Sequence, residues 1–437
     1  MKKTISIFWF RRDLRLDDNV GLYHALKSGH PILPIFIFDT EILDKLPKND
    51  ARVTFIHDQL QKIRETLQTQ FKGSLALFYG NPISIFQNLI SDYDIDSVYT
   101  NHDYEPYAQK RDAEVKALLN KHGIGFNTYK DQVIFEKNEV VKDDGNPYVV
   151  YTPYMKRWKE NFNPSKNINE YDSYSLLGEK LLQDDNLPNL SLKDIGFTKS
   201  TIPVLDYTAT PNFIENYEET RNFPALSNGT SKLGPHLRFG TVSIRKMVQK
   251  AISEKNEVFW NELIWREFFM QILWHFPHTV NQAFKPKYDR VEWRNNEAEF
   301  ELWKTGNTGY AFVDAGIREL NTTGYMHNRV RMIVASFLCK HLLIDWRWGE
   351  AYFAEKLLDY ELASNVGNWQ WAAGSGVDAA PYFRIFNPMT QIEKFDKQRQ
   401  YIDHWVPELQ ELSYPQKIVD HKMARERCLK VYKEAVG

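Results

Sequence analysis

The sequence predicts an α/β N-terminal domain with a parallel, Rossmann-like sheet, joined by a long linker to an all-α domain. Up to about residue 130, short apolar runs alternate with amphipathic segments, which favours βαβ units. An acidic stretch rich in Asn and Ser follows, with no sustained periodicity. Beyond residue 205 the patterning is helical. We therefore expect domains at 1–130 and 205–437, separated by a connector at 131–204.

The individual elements are predicted from these patterns. Apolar runs predict strands at 5–10, 32–38, 75–79 and 97–100. Helical periodicity is clearest at 262–274, 313–320, 326–343 and 352–358. No G-x-G-x-x-G follows the first run, so the usual dinucleotide fingerprint is absent.

Composition excludes several classes of protein. The 43% hydrophobic and 26% charged residues are typical of a globular protein and argue against disorder, fibrous structure and membrane spanning. Residues 1–10 are too short and too soon followed by charge for a signal peptide, so a cytoplasmic protein is expected. Two cysteines cannot build a disulfide framework or a metal site, and we expect Cys339 in the core and Cys428 at the surface.

Charge is distributed unevenly. The net charge of -2 does not by itself indicate a polyanionic partner. However, residues 221–250 contain six Lys or Arg and no acid, whereas residues 170–219 contain ten acids and three Lys. A basic binding face and an ordinary solvated helix surface explain this equally well.

Tryptophan is concentrated in the helical part, where ten of the twelve lie between residues 260 and 405. Helical spacing places Glu262, Trp265 and Arg266 on one face. A second helix places Asn328, Arg331 and Met332 together, with Arg329 to the side. The run 359–371 mixes acids, amides and two Trp, and burying so many polar groups requires hydrogen-bonding partners such as a cofactor. Taken singly, each feature is also compatible with an ion pair beside a packed aromatic core.

The chain resembles the cryptochrome/photolyase family, and within it the class I cyclobutane pyrimidine dimer photolyases. The resemblance covers residues 4 to about 422. It is carried by the motifs at 11–19 (RRDLRLDDN), 262–268 (ELIWREF), 308–310 (TGY), 323–329 (TGYMHNR), 368–371 (NWQW) and 378–388 (DAAPYFRIFNP). Several long motifs in the same order make a chance match untenable.

The resemblance implies that the helical domain binds FAD and that the N-terminal domain is an antenna domain. The phosphates are expected at Tyr217 and at the turn Thr230, Ser231, Lys232, Leu233 and Gly234, since backbone N–H groups and positive charge suit an anion. The rest of the cofactor is expected to contact Glu262, Arg266, Asn328, Arg331, Asp359, Glu361 and Asn365. Asn365 would face the flavin N5, where plant cryptochromes resemble an Asp.

The resemblance also implies light-driven repair of a pyrimidine dimer flipped out of single- or double-stranded DNA. The expected catalytic contacts to the dimer are Glu262, Trp265, Asn328, Met332 and Trp371. Trp369, Trp346 and Trp293 match the family's electron relay. Contacts to DNA are expected from Arg221, Trp265, Asn328, Arg329, Arg384, Gln391 and Lys394. A monomer without membrane attachment and without a metal is expected.

The chain departs from the family pattern in places. Glu361 stands where many relatives have Asp, and Lys232 and Gly234 replace Arg and Ser in the phosphate turn. Residues 101–107 (NHDYEPY) lack the Asn-Glu pair associated with folate. The resemblance therefore leaves open whether a second, antenna chromophore is folate, a deazaflavin, another flavin or absent.

Three other functions compete with dimer repair. A blue-light cryptochrome would share the fold, FAD and the tryptophans, but Asn365 and the predicted lesion contacts argue against it. A pyrimidine–pyrimidone photoproduct photolyase would be expected to have histidine near position 328. A helical single-strand binder using Trp stacking would bind no flavin and show no yellow colour.

Overall fold

A computed structural model describes residues 4–184 and 186–437. Residues 1–3, part of the segment that argues against a signal peptide, lie outside it, as does residue 185 in the predicted connector. The chain forms two compact units, each assembled from three segments. The first comprises 1–136, 162–206 and 233–250, and the second comprises 137–161, 207–232 and 251–437. We predicted each domain as one continuous range of residues, and those limits stay a prediction.

The first unit is built on a five-stranded sheet in the order β3-β2-β1-β4-β5. The strands are β1 (Thr4–Phe10), β2 (Ile32–Asp39), β3 (Ala76–Gly80), β4 (Asp94–Asn101) and β5 (Gly125–Tyr129), and every pair is parallel. This confirms the predicted parallel α/β fold. The prediction missed β5, an edge strand of partly exposed residues that presents no apolar run.

Helices cover the sheet of the first unit. They are α1 (Val20–Leu26), α2 (Thr40–Leu43), α3 (Ala51–Phe71), α4 (Pro82–Asp92), α5 (Pro106–Lys121), α7 (Pro164–Asn167) and α9 (Gly234–Arg238), with a 3-10 turn at Gly178–Lys180. Because side chains alternate along a strand, Phe8 and Phe10 pack into one core and Ile7 and Trp9 into another. Both faces of the sheet are therefore buried, as continuous apolar strands require.

The N-terminal motif at 11–19 has a structural role. Asp18, at 0% exposure, accepts from Arg245 at 3.0 Å, and Asp131 accepts from Arg15 at 2.7 Å. Arg245 also bonds Asp131 at 2.9 Å, which closes the network. Burial opposes ionisation of Asp131, but the two guanidinium groups outweigh it and hold its pKa below the ordinary value.

The second unit is helical. It contains α6 (Tyr151–Asn161), α8 (Pro211–Thr220), α11 (Val258–His275), α12 (Glu297–Lys304), α13 (Ala311–Thr323), α14 (Asn328–Ser336), α15 (Trp346–Lys356), α16 (Leu362–Ala373), α17 (Pro388–Phe395), α18 (Gln400–Trp405) and α19 (His421–Val436). Short 3-10 helices lie at Pro277–Val280 and Pro286–Arg290, and α10 (Ile244–Ser253) begins in the first unit and ends in residues of the second. This confirms the all-α prediction.

The helix predicted at 326–343 is shorter and irregular. α14 continues into a π-helical turn, Phe337–His341, whose five residues are all buried. The helix predicted at 352–358 begins earlier, at Trp346, because the Asp345 carboxylate caps the Arg347 N–H. Cys339 is buried as expected, but the surface position predicted for Cys428 is wrong: both thiols are free and at 0% exposure. Within the described ranges, no helix is long and apolar enough to cross a membrane.

Candidate active site

Helix α11 carries the first group of predicted site residues. The Trp265 indole stacks on the Tyr151 ring with centroids 3.6 Å apart and planes 7° from parallel. One turn earlier, the Glu262 carboxylate pairs with Arg221 at 2.5 Å. The Arg266 guanidinium pairs with Glu361 at 3.2 Å. The predicted triad thus faces three different partners, and its members are fixed by stacking or ion pairing.

Helix α14 carries a second group of predicted site residues. The His327 side chain caps this helix by accepting from the Arg329 N–H at 3.1 Å, which fixes Asn328 at its first turn. Arg331 forms a bidentate pair with Asp359, at 3.1 and 2.9 Å, and donates from Nε to the Met326 carbonyl at 2.7 Å. The predicted Arg331–Asp359 pair is therefore present, in the forked geometry that favours an Arg over a Lys.

Helix α16 follows directly and begins after Glu361, its N-cap residue. Asn365, one turn in, donates from Nδ2 to the Glu350 carbonyl at 3.1 Å and to its carboxyl at 2.9 Å. Burial raises the pKa of Glu350, opposed by the bond from Asn365. Because both bonds use the amide nitrogen of Asn365, its Oδ1 stays available as an acceptor.

Residues of α14 and α16 line one pocket with about 590 Å³ of atom-free space, part of it open to solvent. The predicted site residues of α11, Glu262, Trp265 and Arg266, are not among its lining residues. Both polar and apolar side chains line this pocket. The lining residues are Asn328, Arg331, Met332, Ala335, Phe353, Leu357, Asp359, Tyr360, Glu361, Ser364, Asn365, Asn368, Trp369, Trp371 and Ala372. Eight residues predicted for the cofactor, the lesion or electron transfer therefore share one cavity.

The predicted phosphate turn is not among the residues that line this pocket. Thr230 shares a hydrogen bond of 2.9 Å with the Tyr325 hydroxyl, and the Lys232 amine lies 3.6 Å from the centre of the Tyr325 ring. Lys232 has a φ of 55°, a left-handed conformation that a Gly would adopt without strain. The Ser231 carbonyl accepts a hydrogen bond from the Thr208 N–H at 2.8 Å. Leu233 and Gly234 belong to the first unit.

Tyr217 lies on α8, next to the Arg221–Glu262 pair. Its ring packs edge-on against Phe259 with centroids 5.3 Å apart, and the Arg221 guanidinium lies 5.4 Å from its centre. Burial and the negative charge of Glu262 raise the pKa of Tyr217. The tyrosine therefore remains a neutral hydroxyl group that can donate to an anion.

The basic residues predicted to bind DNA are electrostatically coupled. Burial lowers the pKa of Arg329, and the positive charges of Arg221 and Arg384 lower it further. The Arg329 guanidinium lies 4.3 Å, and the Lys394 amine 5.3 Å, from the centre of the Phe395 ring. Gln391 lies one turn before Lys394 on α17. Repulsion among these positive charges favours an anionic partner.

The three tryptophans of the predicted relay lie in or against one core cluster. Trp369 and Trp346 are 2% exposed, and half-buried Trp293 packs edge-on against Tyr432 at 6.0 Å. A Cβ at Gly349 would overlap the Trp369 ring, so this glycine lets α15, which carries Trp346, approach closely. Trp369 also contacts Trp303, at 6.2 Å between ring centroids, which the sequence did not single out.

Sequence reasoning missed two residues that shape the site. Tyr151, 7% exposed, lay in the predicted connector, yet its hydroxyl donates to the Asn261 carbonyl at 2.7 Å while its ring stacks on Trp265. Glu350 orients Asn365. Aromatic spacing across the sequence Tyr-Thr-Pro-Tyr at 151–154 was the available signal for the first, whereas no local pattern points to Glu350.

The segment at 101–107 in the first unit is occupied by internal contacts. Asn101 donates to Asp13 at 2.6 Å and to Asn19 at 2.9 Å. The Arg12 guanidinium pairs with both Asp103 and Glu105 at 3.1 Å. These polar groups thus stabilise the unit, and their pairing gives no sign of which antenna chromophore the chain would take.

Two family models match the N-terminal and the C-terminal parts of the chain. The family model described as DNA photolyase matches residues 6–171, and that described as the FAD binding domain of DNA photolyase matches residues 259–434. Deoxyribodipyrimidine photo-lyases of Halobacterium salinarum and Escherichia coli are each 36% identical, over 99% of this chain and 100% and 99% of their own lengths.

Solved structures of photolyases and of a cryptochrome are also similar to this chain. A class III photolyase from Agrobacterium tumefaciens superposes with a TM-score of 0.88 at 35% identity, covering 100% of this chain and 98% of that one. An archaeal photolyase from Sulfolobus tokodaii, whose structure is described as having two FAD molecules that imply a novel light-harvesting cofactor, gives a TM-score of 0.86 at 32% identity, covering 98% of this chain and 99% of that one. A Synechocystis cryptochrome gives 0.86 at 26%, covering 99% of each chain.

A helical unit with a pocket of this kind and a parallel α/β unit in the same chain define a flavoprotein of the photolyase type. The chain belongs to the photolyase/cryptochrome family, and its helical unit is an FAD-binding domain. The pocket fits that cofactor, because the acceptor of Asn365 and the Arg331–Asp359 pair offer hydrogen bonds beside an apolar floor that suits a flat aromatic ring.

Proposed function

We propose that this protein repairs cyclobutane pyrimidine dimers in DNA with blue light. The observation that carries this is the shared pocket: predicted lesion contacts Asn328, Met332 and Trp371 line the same cavity as predicted cofactor contacts Arg331 and Asn365. A donor and an acceptor bound in such a cavity are close enough for direct electron transfer.

When bound in its fully reduced form, FAD would supply the light-driven one-electron chemistry that splits the dimer. The protein's residues perform the remaining tasks. Arg331, Asp359, Glu361 and Asn365 would orient the cofactor, with Oδ1 of Asn365 as the acceptor facing the flavin N5. Asn365 itself is held in place by Glu350.

The lesion must leave the DNA helix to reach this cavity, and unstacking costs a few kcal/mol, less for a damaged pair. Trp265 and Trp371 would form the apolar walls that replace the lost stacking. Met332 would contact the dimer, Asn328 would bond a base edge, and a protonated Glu262 would donate to a pyrimidine carbonyl and stabilise its developing negative charge.

Binding to the DNA backbone is the role we propose for the cluster Arg221, Arg329 and Arg384, together with Gln391 and Lys394. Burial, and then the positive charges of Arg221 and Arg384, lower the pKa of Arg329, and phosphate groups would relieve the repulsion among these cations. Such contacts position the duplex and carry no sequence information. Damage, and not base sequence, would then determine where the enzyme acts.

Finer assignments belong to the same proposal. The lesion contacts are those of class I photolyases, although one similar solved structure is a class III enzyme. We further propose that Trp369, Trp346 and Trp293 reduce the bound flavin in the light. We also propose that the phosphates of FAD lie at Tyr217 and the turn 230–234, and that the protein is a cytoplasmic monomer. An antenna chromophore, if one binds, would be folate, a deazaflavin or a second flavin.

The test uses holoprotein chemically reduced in the absence of oxygen and an oligonucleotide carrying one thymine dimer, with chromatography to count intact thymines. Blue light should restore the thymines over many turnovers, and darkness should not. Trp265→Leu should bind the dimer about tenfold more weakly, since stacking on a base contributes 1–3 kcal/mol. Trp405→Phe, a half-buried tryptophan of the same unit, is the matched control. Absence of light-dependent repair would favour a cryptochrome-like photoreceptor.

A further inference from the structure

The pair formed by Arg221 and Glu262 joins two residues with separate proposed roles. Arg221 Nη1 lies 2.5 Å from Glu262 Oε1, and the two side chains are 22% and 33% exposed. An ionised carboxylate only accepts hydrogen bonds. In this arrangement Glu262 cannot donate to a pyrimidine carbonyl, and Arg221 is already engaged by an anion.

A DNA phosphate competes directly for Arg221. The guanidinium lies at the end of α8, and it is electrostatically coupled to Arg329, which in turn is coupled to Arg384. A phosphate reaching this basic cluster would form the charge-assisted bonds that Arg221 now makes with Glu262. The pair is partly exposed, and solvent screening weakens such an ion pair, so exchanging it for a phosphate costs less than breaking a buried pair.

Glu262 would then be left without its cation while DNA covers the site. Besides Arg221, the titratable groups facing it are Tyr151 and Tyr217, whose pKa values burial and the Glu262 charge both raise. Both tyrosines are neutral and supply no replacement positive charge. Loss of the cation and of solvent both favour the protonated carboxyl.

We propose that Arg221 and Glu262 form a latch that damaged DNA opens, with Arg221 moving to a phosphate and Glu262 taking up one proton from solvent. The Glu262 carboxylate gains that proton as an O–H bond, and this hydrogen is the one donated to the pyrimidine carbonyl. The latch rests on the proposed repair function and explains how Glu262 becomes a donor once DNA occupies the site.

Two other titratable groups near the basic cluster must be separated from Glu262. His327 is coupled to Arg221, but burial and the surrounding cations lower its pKa to about 3, so it stays neutral near pH 7. Burial lowers the pKa of Lys340 to about 8, and its amine bonds the Arg384 carbonyl. Lys340 could therefore contribute protons, and a variant at Glu262 is needed to identify the source.

Calorimetric titration of FAD-loaded protein with a dimer-containing oligonucleotide, in two buffers of different ionisation enthalpy, counts the protons. Near pH 7 we expect uptake of about one proton per dimer bound, and about none with Glu262→Gln. Glu301→Gln, which removes an exposed carboxylate paired with Lys304, is the matched control and should behave as wild type. Wild-type binding without uptake, or unchanged uptake in Glu262→Gln, would overturn the latch.

The Arg221 arm is tested by affinity for undamaged duplex. Glu262→Gln frees Arg221 for phosphate and should tighten this binding about two- to fivefold. Arg221→Met should reduce the slope of log affinity against log salt by about one. An unchanged slope would refute the exchange of partners. If dimers are repaired in light but no proton is taken up, only the latch fails; if dimers are neither preferred nor repaired, the proposed function fails.

Discussion

Trp369 is the residue on which light-driven reduction of the cofactor depends in this account. It lines the cofactor pocket and is packed against Phe353, with ring centroids 4.9 Å apart, at the inner end of the predicted relay. Trp369→Phe keeps most of this packing but removes the easily oxidised indole.

Photoreduction of oxidised holoprotein in the presence of a thiol should fall at least tenfold in Trp369→Phe, since electron supply is interrupted at its first step. Flavin absorbance during illumination measures this. Dimer repair by chemically reduced Trp369→Phe should match wild type, because reduction is then bypassed. Loss of repair in that sample as well would show that Trp369 has another role.

Tyr151 positions the wall residue Trp265 through a close ring stack and a hydroxyl bond to helix α11. Tyr151→Leu retains bulk but removes the stack, which contributes about 1 kcal/mol beyond buried area. Affinity for dimer-containing DNA should therefore fall about fivefold, measured by fluorescence anisotropy at equal FAD occupancy.

Tyr151→Phe is the matched variant, because it keeps the ring and removes only the hydroxyl bond to Asn261. Its affinity should stay within about twofold of wild type. Equal affinity in the Leu variant and wild type would mean that Trp265 needs no support from Tyr151.

The π-helical turn Phe337–His341 helps to hold the backbone at Arg384, one of the residues predicted to contact DNA. Lys340, 1% exposed, donates from Nζ to the Arg384 carbonyl at 2.8 Å. Tyr382 stacks on Tyr432 at 5.7 Å between centroids. A buried amine and an aromatic stack thus fix the backbone that carries Arg384.

Lys340 makes stability depend on pH. Burial lowers its pKa to about 8 in the folded protein, below the value of about 10.4 in an unfolded chain. The unfolded state therefore binds more protons between these values, and the free energy of unfolding rises with pH. From pH 7 to 9.5 this contributes about 2 kcal/mol.

Urea unfolding of wild type and Lys340→Met at both pH values isolates this contribution, because other titrating groups are common to both proteins. The stability difference should shift by about 2 kcal/mol in favour of wild type at the higher pH. A difference that does not change with pH would mean that Lys340 is charged to the same extent in both states.

Elements were predictable where their pattern was local. The strand at β1 and the helix at α11 were found because they have long apolar or amphipathic runs. The edge strand β5 and the π-helical turn were missed because one has no apolar run and the other is buried on all sides, so that no periodicity marks it. Their conformations depend on neighbours distant in sequence.

Packing between parts of the chain that are distant in sequence was also not predictable from local patterns. Helix α6 lies within the predicted connector, yet Trp158, 1% exposed, donates to the buried Glu267 of α11. Acidic, Asn-rich sequence around it concealed this packing. The site residues were identified largely because family motifs named them; geometry alone added Tyr151, Glu350 and the pairing of Arg221 with Glu262.

We expect DNA binding to depend on a local basic cluster, because the chain as a whole has a net charge of -2. Affinity for dimer-containing duplex should fall steeply with salt, and Arg329→Ala and Arg384→Ala should each reduce the log–log slope by about one. Lys430→Ala on α19, an exposed lysine outside the cluster, should leave it unchanged. A wild-type affinity insensitive to salt would contradict backbone recognition.

We propose that a reduced flavin and a flipped dimer share the pocket between α14 and α16, close enough for one electron to pass. The most direct measurement is the fluorescence lifetime of the reduced flavin in the holoprotein, with and without dimer-containing DNA. A lifetime that shortens severalfold with damaged but not with undamaged oligonucleotide is the result we predict. Equal lifetimes with a saturating dimer would contradict the claim.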